Sequence, residues 1–327
     1  MRLVFFRCLL LMVVMIIVTS NIFGKVRVET INGLRYRLNS TTKTATVISF
    51  NGRLNKDSLN VPRKVKASDH CLYLVTSLGN SCFSGCTSLT FITIPSSVTS
   101  LGYECFERCT SLADITIPSS VTSLGNHCFY NCSSLPNIII PSSVTSFGNG
   151  CFSGCTSLTN ITIPSSVAEL YGAFYDCTSL TNITIPSSVT SLGDFCFSGC
   201  SSLANITIPS SVLGLSEYCF SGCSSLVSFI VPSSVEFLGC GCFSGCSSLI
   251  SITVPSDVSI DTSRGVETIF EDCKKLEKVI FKGELSSDSD TNFWGLSKTC
   301  NIFVPEEYLQ EYKNAFKGYP NIYPSRE

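Results

Sequence analysis

The chain is poor in the residues that most chemistry needs. Its 327 residues include two histidines, His70 and His127, and one tryptophan, Trp294. Nucleophilic catalysis requires a Ser or Cys beside a base held by a third group. One histidine lies in the N-terminal section and the other in a repeat turn. The position of His127 is filled elsewhere by Ser81, Glu104, Gly150 and Phe195, which marks it as an exposed spacer. Glycoside hydrolysis needs two carboxylates flanking a cleft, but the central acids stand singly at Asp114, Glu169, Asp176, Asp194, Glu217 and Glu236. Gly-rich phosphate loops and dinucleotide fingerprints are missing too. These absences argue against an enzyme, and no cofactor is expected.

Positive charge is equally scarce where it would matter. Between Cys82 and Ser256 there is no lysine and a single arginine, Arg108. Nucleic acid demands cations along the surface that meets phosphate, so it is excluded as a partner. Basic residues concentrate instead between Lys25 and Lys66, against Glu29, Asp57 and Asp69. Long apolar runs are lacking beyond the first residues. There, Arg2 and Arg7 lead into an apolar stretch from Cys8 to Val18, followed by Thr19 and Ser20. That stretch falls short of the ~20 residues a bilayer crossing takes. Residues 1–24 therefore read as a cleaved signal peptide, leaving an exported chain with no integral membrane span.

What the sequence has is repetition. A unit of the form C-F-x-x-C-[ST]-S-L-x-x-I-x-[IV]-P-S-S-V-x-x-[LF]-G places prolines at 95, 118, 141, 164, 186, 209, 232 and 255, every 23 residues except for one step of 22. Such a period signifies a solenoid, in which each unit buries its apolar edge only against its neighbours. Within the unit, L-x-x-I-x-I-P alternates as a strand does and ends at a residue with no N–H to donate. Leu89, Ile92 and Ile94, with their equivalents, are expected to point inward. S-S-V-x-x-L-G reads as a turn with Val98 and Leu101 tucked inside, its glycines (102, 125, 148, 193 and 239) taking positive φ. The column Phe83, Phe106, Phe129, Phe152, Phe174, Phe197, Phe220, Phe243 and Phe270 reads as an aromatic spine in the core.

Both ends depart from the pattern, as solenoid caps must. Gly33 to Leu38 and Ala45 to Ile48 read as strands of a hairpin, and Asn60 to Pro62 with Val75 to Gly79 as a degenerate first coil. Beyond Pro255 the spacing stretches, then Ile302 to Pro305 gives a last strand and Glu306 to Phe316 a closing helix. The organisation expected is thus residues 1–24 signal peptide, 25–70 N-terminal β cap and degenerate first coil, 71–281 solenoid, and 282–327 C-terminal capping unit.

Units such as Asn80-Ser81-Cys82-Phe83-Ser84-Gly85-Cys86-Thr87-Ser88-Leu89, followed by Ile92 to Val98, closely resemble the BspA-like (Treponema pallidum-type) leucine-rich repeats. Asn32 to Leu38 is similar to the N-terminal cap of such proteins from the Bacteroidetes, and Val304 to Phe316 to their closing unit. The resemblance implies a leucine-rich-repeat solenoid, a curved single stack with one strand and a short turn or helical segment per coil, capped at both ends. It also implies a secreted or cell-surface protein engaged in adhesion or host interaction. Many relatives carry alanine where this chain places its first cysteine, as it does itself at Ala173.

Cysteine is abundant, at 20 residues. Most fall into two columns, one from Cys82 through Cys105, Cys128, Cys151, Cys196 and Cys219 to Cys242. The other runs from Cys86 through Cys109, Cys132, Cys155, Cys177, Cys200, Cys223 and Cys246 to Cys273. The C-x-x-x-C spacing without histidines is unlike a zinc site. Buried thiols acting as small hydrophobes and a few disulfides, involving Cys71 or Cys240, both remain open readings. On the outward side of the strands, threonine and asparagine form neighbouring columns. The candidate ligand-binding residues are Thr93, Thr116, Asn137, Asn160, Thr162, Asn182, Thr184, Asn205 and Thr207. They compose an uncharged hydrogen-bonding face suited to an extracellular protein or glycan, host-derived ones included. Against this stands a purely structural reading: threonine favours strands and stacked asparagines bond to one another. On that reading the protein is a spacer or envelope component.

Overall fold

The computed structural model describes residues 26–50, 58–261, 268–284 and 294–325; the expected signal peptide lies outside them. The chain opens with β1 (Val26–Ile31), β2 (Leu34–Asn39) and β3 (Thr44–Phe50), an antiparallel meander. Asn32 (φ 50°) and Gly33 (φ 82°) supply the two left-handed positions of the first hairpin turn. Leu72–Leu78 then docks parallel on β3, takes Lys64–Lys66 as an antiparallel side strand, and hands a parallel ladder to Ser100–Leu101.

Each coil then contributes three segments, stacked on their equivalents in the next coil. One face carries the strands at Phe91–Thr93, Asp114–Thr116, Asn137–Ile138, Asn160–Thr162 and Asn182–Thr184, resuming at Ser228–Ile230 and Ser251–Val254. A second parallel ladder runs through Ser100–Leu101, Ser123–Leu124 and Ser146–Phe147, then through Glu169–Leu170, Ser191–Leu192, Gly214–Leu215 and Phe237–Gly239. Sequence reading assigned this second segment to a turn. Two paired residues per coil are too few to show strand alternation, yet Val98 and Leu101 are buried as expected. The third face is the C-F-x-x-C turn, tied to the next coil by backbone bonds such as Ser81 N to Tyr103 O (2.7 Å) and Phe83 N to Cys105 O (3.0 Å).

The phenylalanine column is the spine it was expected to be. Phe83, Phe106, Phe129 and Phe152 follow one another at 5.4 Å between ring centroids, with planes within 8° of parallel. The stack continues through Phe174, Phe197, Phe220, Phe243 and Phe270 to Trp294. Trp294 then meets Phe281 edge-on, and Phe281 leans on Tyr312, within the short closing helix α1 (Leu309–Ala315), and on Phe316 at its C-terminal end. The rings thus carry the core into the C-terminal cap without a gap.

The glycines of the V-x-x-[LF]-G segment do not take positive φ; their role is close approach. A Cβ on Gly102 would lie 2.6 Å from the backbone N of Asn80, and one on Gly125 would lie 2.5 Å from the carbonyl carbon of Gly102. The left-handed positions fall on the turn face instead, at residues such as Ser81, Gly85, Glu104 and Arg108.

The second cysteine column also has a partner the sequence did not disclose. From Cys109 onward each thiol donates to the carbonyl of the phenylalanine one coil back: Cys109 to Phe83 O and Cys132 to Phe106 O (both 3.1 Å), Cys155 to Phe129 O (3.2 Å), and so on to Cys273. The first lone pair of those carbonyls is already used within the turn, as by Cys109 N on Phe106 O (3.1 Å). The first column packs sulfur against sulfur, with Cys82 and Cys105 Sγ 3.6 Å apart, too far for a covalent bond. Among the described residues the cysteines form no disulfide, and most are buried. Burial pushes the thiols of Cys155 and Cys223 from 9.0 up to about 12.

Three outcomes follow. Phe152→Ala should lower unfolding free energy by about 3–5 kcal/mol, read from urea denaturation. Gly125→Ala should destabilise more than Gly85→Ala, where the added Cβ meets nothing and only the left-handed backbone costs about 1–2 kcal/mol. The raised thiols hold their protons in the folded state and release them on unfolding above pH ~9. Their contribution is therefore complete below the unfolded pKa and is lost as pH rises toward 12. The urea midpoint under reducing conditions should fall steadily above pH 9, and replacing Cys132, Cys155 and Cys177 with serine should flatten that fall.

Candidate uncharged strand face

All nine residues singled out from sequence are exposed, seven of them on strands of the first ladder and Asn205 and Thr207 at the equivalent positions of an unpaired coil. Alternation places them there, since Ile92, Ile115, Ile138 and Ile161 between them point into the core. Register then aligns them: Thr93 with Thr116, Asn137 with Asn160 and Asn182, and Thr162 with Thr184. Asparagines do not bond to one another along the column. Asn160 Nδ2 donates to Thr159 Oγ1 (3.2 Å), Asn182 Nδ2 to Thr181 Oγ1 (3.3 Å), and Thr159 Oγ1 to Asn137 Oδ1 (3.4 Å). The flanking threonines therefore orient the amides, a role sequence reading did not give them.

The face is not one uninterrupted sheet. Pairing lapses between Asp114–Thr116 and Asn137–Ile138, and residues 205–207 join neither neighbouring strand. On either side of that second break the surface opens. A cleft of about 380 Å³ is lined by Asn182, Thr184, Asn205 and Thr207. Its neighbour, about 440 Å³, shares Asn205 and Thr207 and adds Ser228 and Ile230. The structure so brings four of the nine residues together around one depression. Thr93, Thr116, Asn137, Asn160 and Thr162 extend the same face away from it.

Chemically the lining offers amides, hydroxyls and aliphatic carbon. These donate and accept hydrogen bonds and make apolar contact. Isoleucine replaces threonine twice in the column, and both side chains project into solvent, Ile139 at 85% exposure and Ile230 at 73%. Standing singly and four coils apart, they are ordinary exposed aliphatics rather than a contiguous apolar patch.

The sequence of the coils and this geometry are matched in known proteins. Residues 71–172, 170–265 and 266–324 correspond to the BspA type Leucine rich repeat region, in six copies. The chain belongs to this family. Among solved structures it is similar to a leucine-rich repeat protein from Bacteroides ovatus, with 26% identity over 90% of this chain and 81% of the other, at a TM-score of 0.64. It is also similar to the T. pallidum leucine-rich repeat protein, with 29% identity over 61% of this chain and 91% of the other, at a TM-score of 0.53. No curated protein sequence matches the chain. The BspA-type solenoid expected from the repeats is thus the fold the chain adopts.

If the Thr159 and Thr181 hydroxyls hold the amides in place, Thr181→Val should broaden the Asn182 side-chain NH2 resonances by freeing the rotamer. Stability should change by no more than ~1 kcal/mol, the net worth of one neutral hydrogen bond.

Proposed function

We propose that this BspA-type protein is a secreted or cell-surface binding or adhesion protein without enzymatic activity, which engages an extracellular protein or glycan through its concave strand face. Its centre is the cleft of Asn182, Thr184, Asn205 and Thr207. One observation carries the reading: a broad exposed face made of aligned amides and hydroxyls, with two fully projecting isoleucines and few charges. Proteins of this type are often secreted or surface-borne, and among the described residues no helix is long and apolar enough to cross a membrane.

The test is direct. Purified protein should bind at least one member of a panel of immobilised extracellular-matrix proteins and mammalian glycans in biolayer interferometry. Thr184→Lys and Thr207→Lys should each weaken that binding at least tenfold, about 1.4 kcal/mol, with unfolding midpoints unchanged. Absence of binding across the panel, together with self-assembly of the purified protein into ordered arrays, would establish the spacer reading instead.

A further inference from the structure

The turn face carries a site of a different kind. The residue just before the first cysteine position sits in the left-handed region in coil after coil. Ser81, Glu104, His127, Phe195 and Tyr218 hold φ between 51° and 56°, and Gly150 and Gly172 sit at 60° and 54°. The backbone here accepts side chains, aromatic ones included, so φ alone does not demand glycine at 150 and 172. What two successive glycines do is add no side chain of their own there: the ring of His127 reaches over Gly150, and the space above Gly172 stays open.

The walls of that space are aromatic. A Cβ on Gly150 would lie 2.7 Å from Cδ2 and 2.8 Å from Nε2 of His127, so the imidazole overhangs one end. Phe195 closes the other end, stacked on Tyr218 at 5.0 Å and met edge-on by Tyr175 at 6.1 Å. Above Gly172 a Cβ would meet nothing nearer than the Asp194 carbonyl at 3.7 Å. Tyr171 forms a further wall because of the 22-residue coil. Leu170-Tyr171-Gly172-Ala173 replaces the longer Phe147-Gly148-Asn149-Gly150-Cys151, and the close-approach glycine is the residue lost. Hydrogen bonds resume in register on both sides, Gly150 N to Tyr171 O (2.9 Å) and Gly172 N to Asp194 O (3.0 Å). The resulting notch measures about 440 Å³, inside the roughly 300–1,000 Å³ of small-molecule sites.

We propose that this notch binds a pyranose ring of a neutral glycan. Tyr171, Tyr175 and Phe195 each remain about 40% exposed, which gives the C–H faces of a sugar apolar rings to pack on. Asn149, Ser153 and Asp194 also line it, and their amide, hydroxyl and carboxylate match sugar hydroxyls. Asp194 and the neighbouring Asp176 and Glu217, with no lysine between Cys82 and Ser256, disfavour uronates and sialylated sugars by like-charge repulsion. Sequence reading took His127 for an exposed spacer. It is half-buried and forms one wall of the notch. The site is separate from the strand face and stands whether or not that face binds anything.

Saturation-transfer difference NMR on the whole purified protein tests this, using neutral β-linked trisaccharides of glucose, galactose and N-acetylglucosamine, with tri-galacturonate and a Pro/Tyr-rich peptide as comparators. At least one neutral trisaccharide should receive saturation. The signal should drop at least tenfold in Tyr171→Ala and in Gly172→Tyr, which fills the notch with a ring the column already carries at Tyr218. Thr184→Lys, on the strand face, should leave it intact. If Gly172→Tyr does not fold, Tyr171→Ala decides alone. The proposal is overturned if no neutral trisaccharide receives saturation, if the signal survives these changes, or if the notch takes the charged sugar or the peptide in preference.

Discussion

The spacing between one coil and the next governs everything else in this molecule. Rings stacked at 5.4–5.9 Å and backbone bonds of 2.7–3.1 Å have to be satisfied together, coil after coil, because a single coil has no core of its own. Glycine enters where backbones of adjacent coils would otherwise collide. The second serine of P-S-S enters for the same reason in reverse. Its hydroxyl reaches back to the valine carbonyl of the previous coil, as Ser97 does to Val75 O at 2.6 Å and Ser143 to Val121 O at 2.7 Å. The thiols of the second column do likewise on the turn face. Small side chains with one donor are thus placed wherever a carbonyl of the coil behind has a lone pair left over.

Much of this was legible in the repeat. Inward positions such as Leu89, Ile92 and Phe83 hold constant because stacking fixes them, and constancy at a fixed period is visible in one sequence. The aromatic spine, the hairpin of the N-terminal cap and the closing helix could all be located from residue type and spacing. The second ladder could not, since Ser100–Leu101 and its equivalents are too short for a period to register. The reason for the glycines is hidden for a related cause: a positive φ favours glycine and a close approach to a neighbouring backbone requires it, and only coordinates separate the two. The thiol-to-carbonyl bonds were invisible because the acceptor lies a full coil away.

The site was legible to a smaller degree. Alternation identified the exposed threonines and asparagines correctly as outward, but the lapse of pairing at residues 205–207 has no marker in the sequence. Asn205-Ile206-Thr207 reads the same as Asn182-Ile183-Thr184, although only the latter is a strand. The notch on the turn face did leave a trace, in the form of glycines at two successive equivalent positions beside the one shortened coil. Variability at that column looked like indifference. It was the local shape of the surface being set.

The direction of the bonds between coils has a mechanical consequence. They run along the axis of the stack, so pulling the two ends apart loads them in tension rather than in shear. Such an array yields by peeling from an end, one rung at a time, each rung paying out about 80 Å of chain at a force set by a single layer's contacts. Lengthening the array would add reach without adding strength. Anchored at one end and gripping at the other, it would behave as a long, compliant tether that gives way in equal steps.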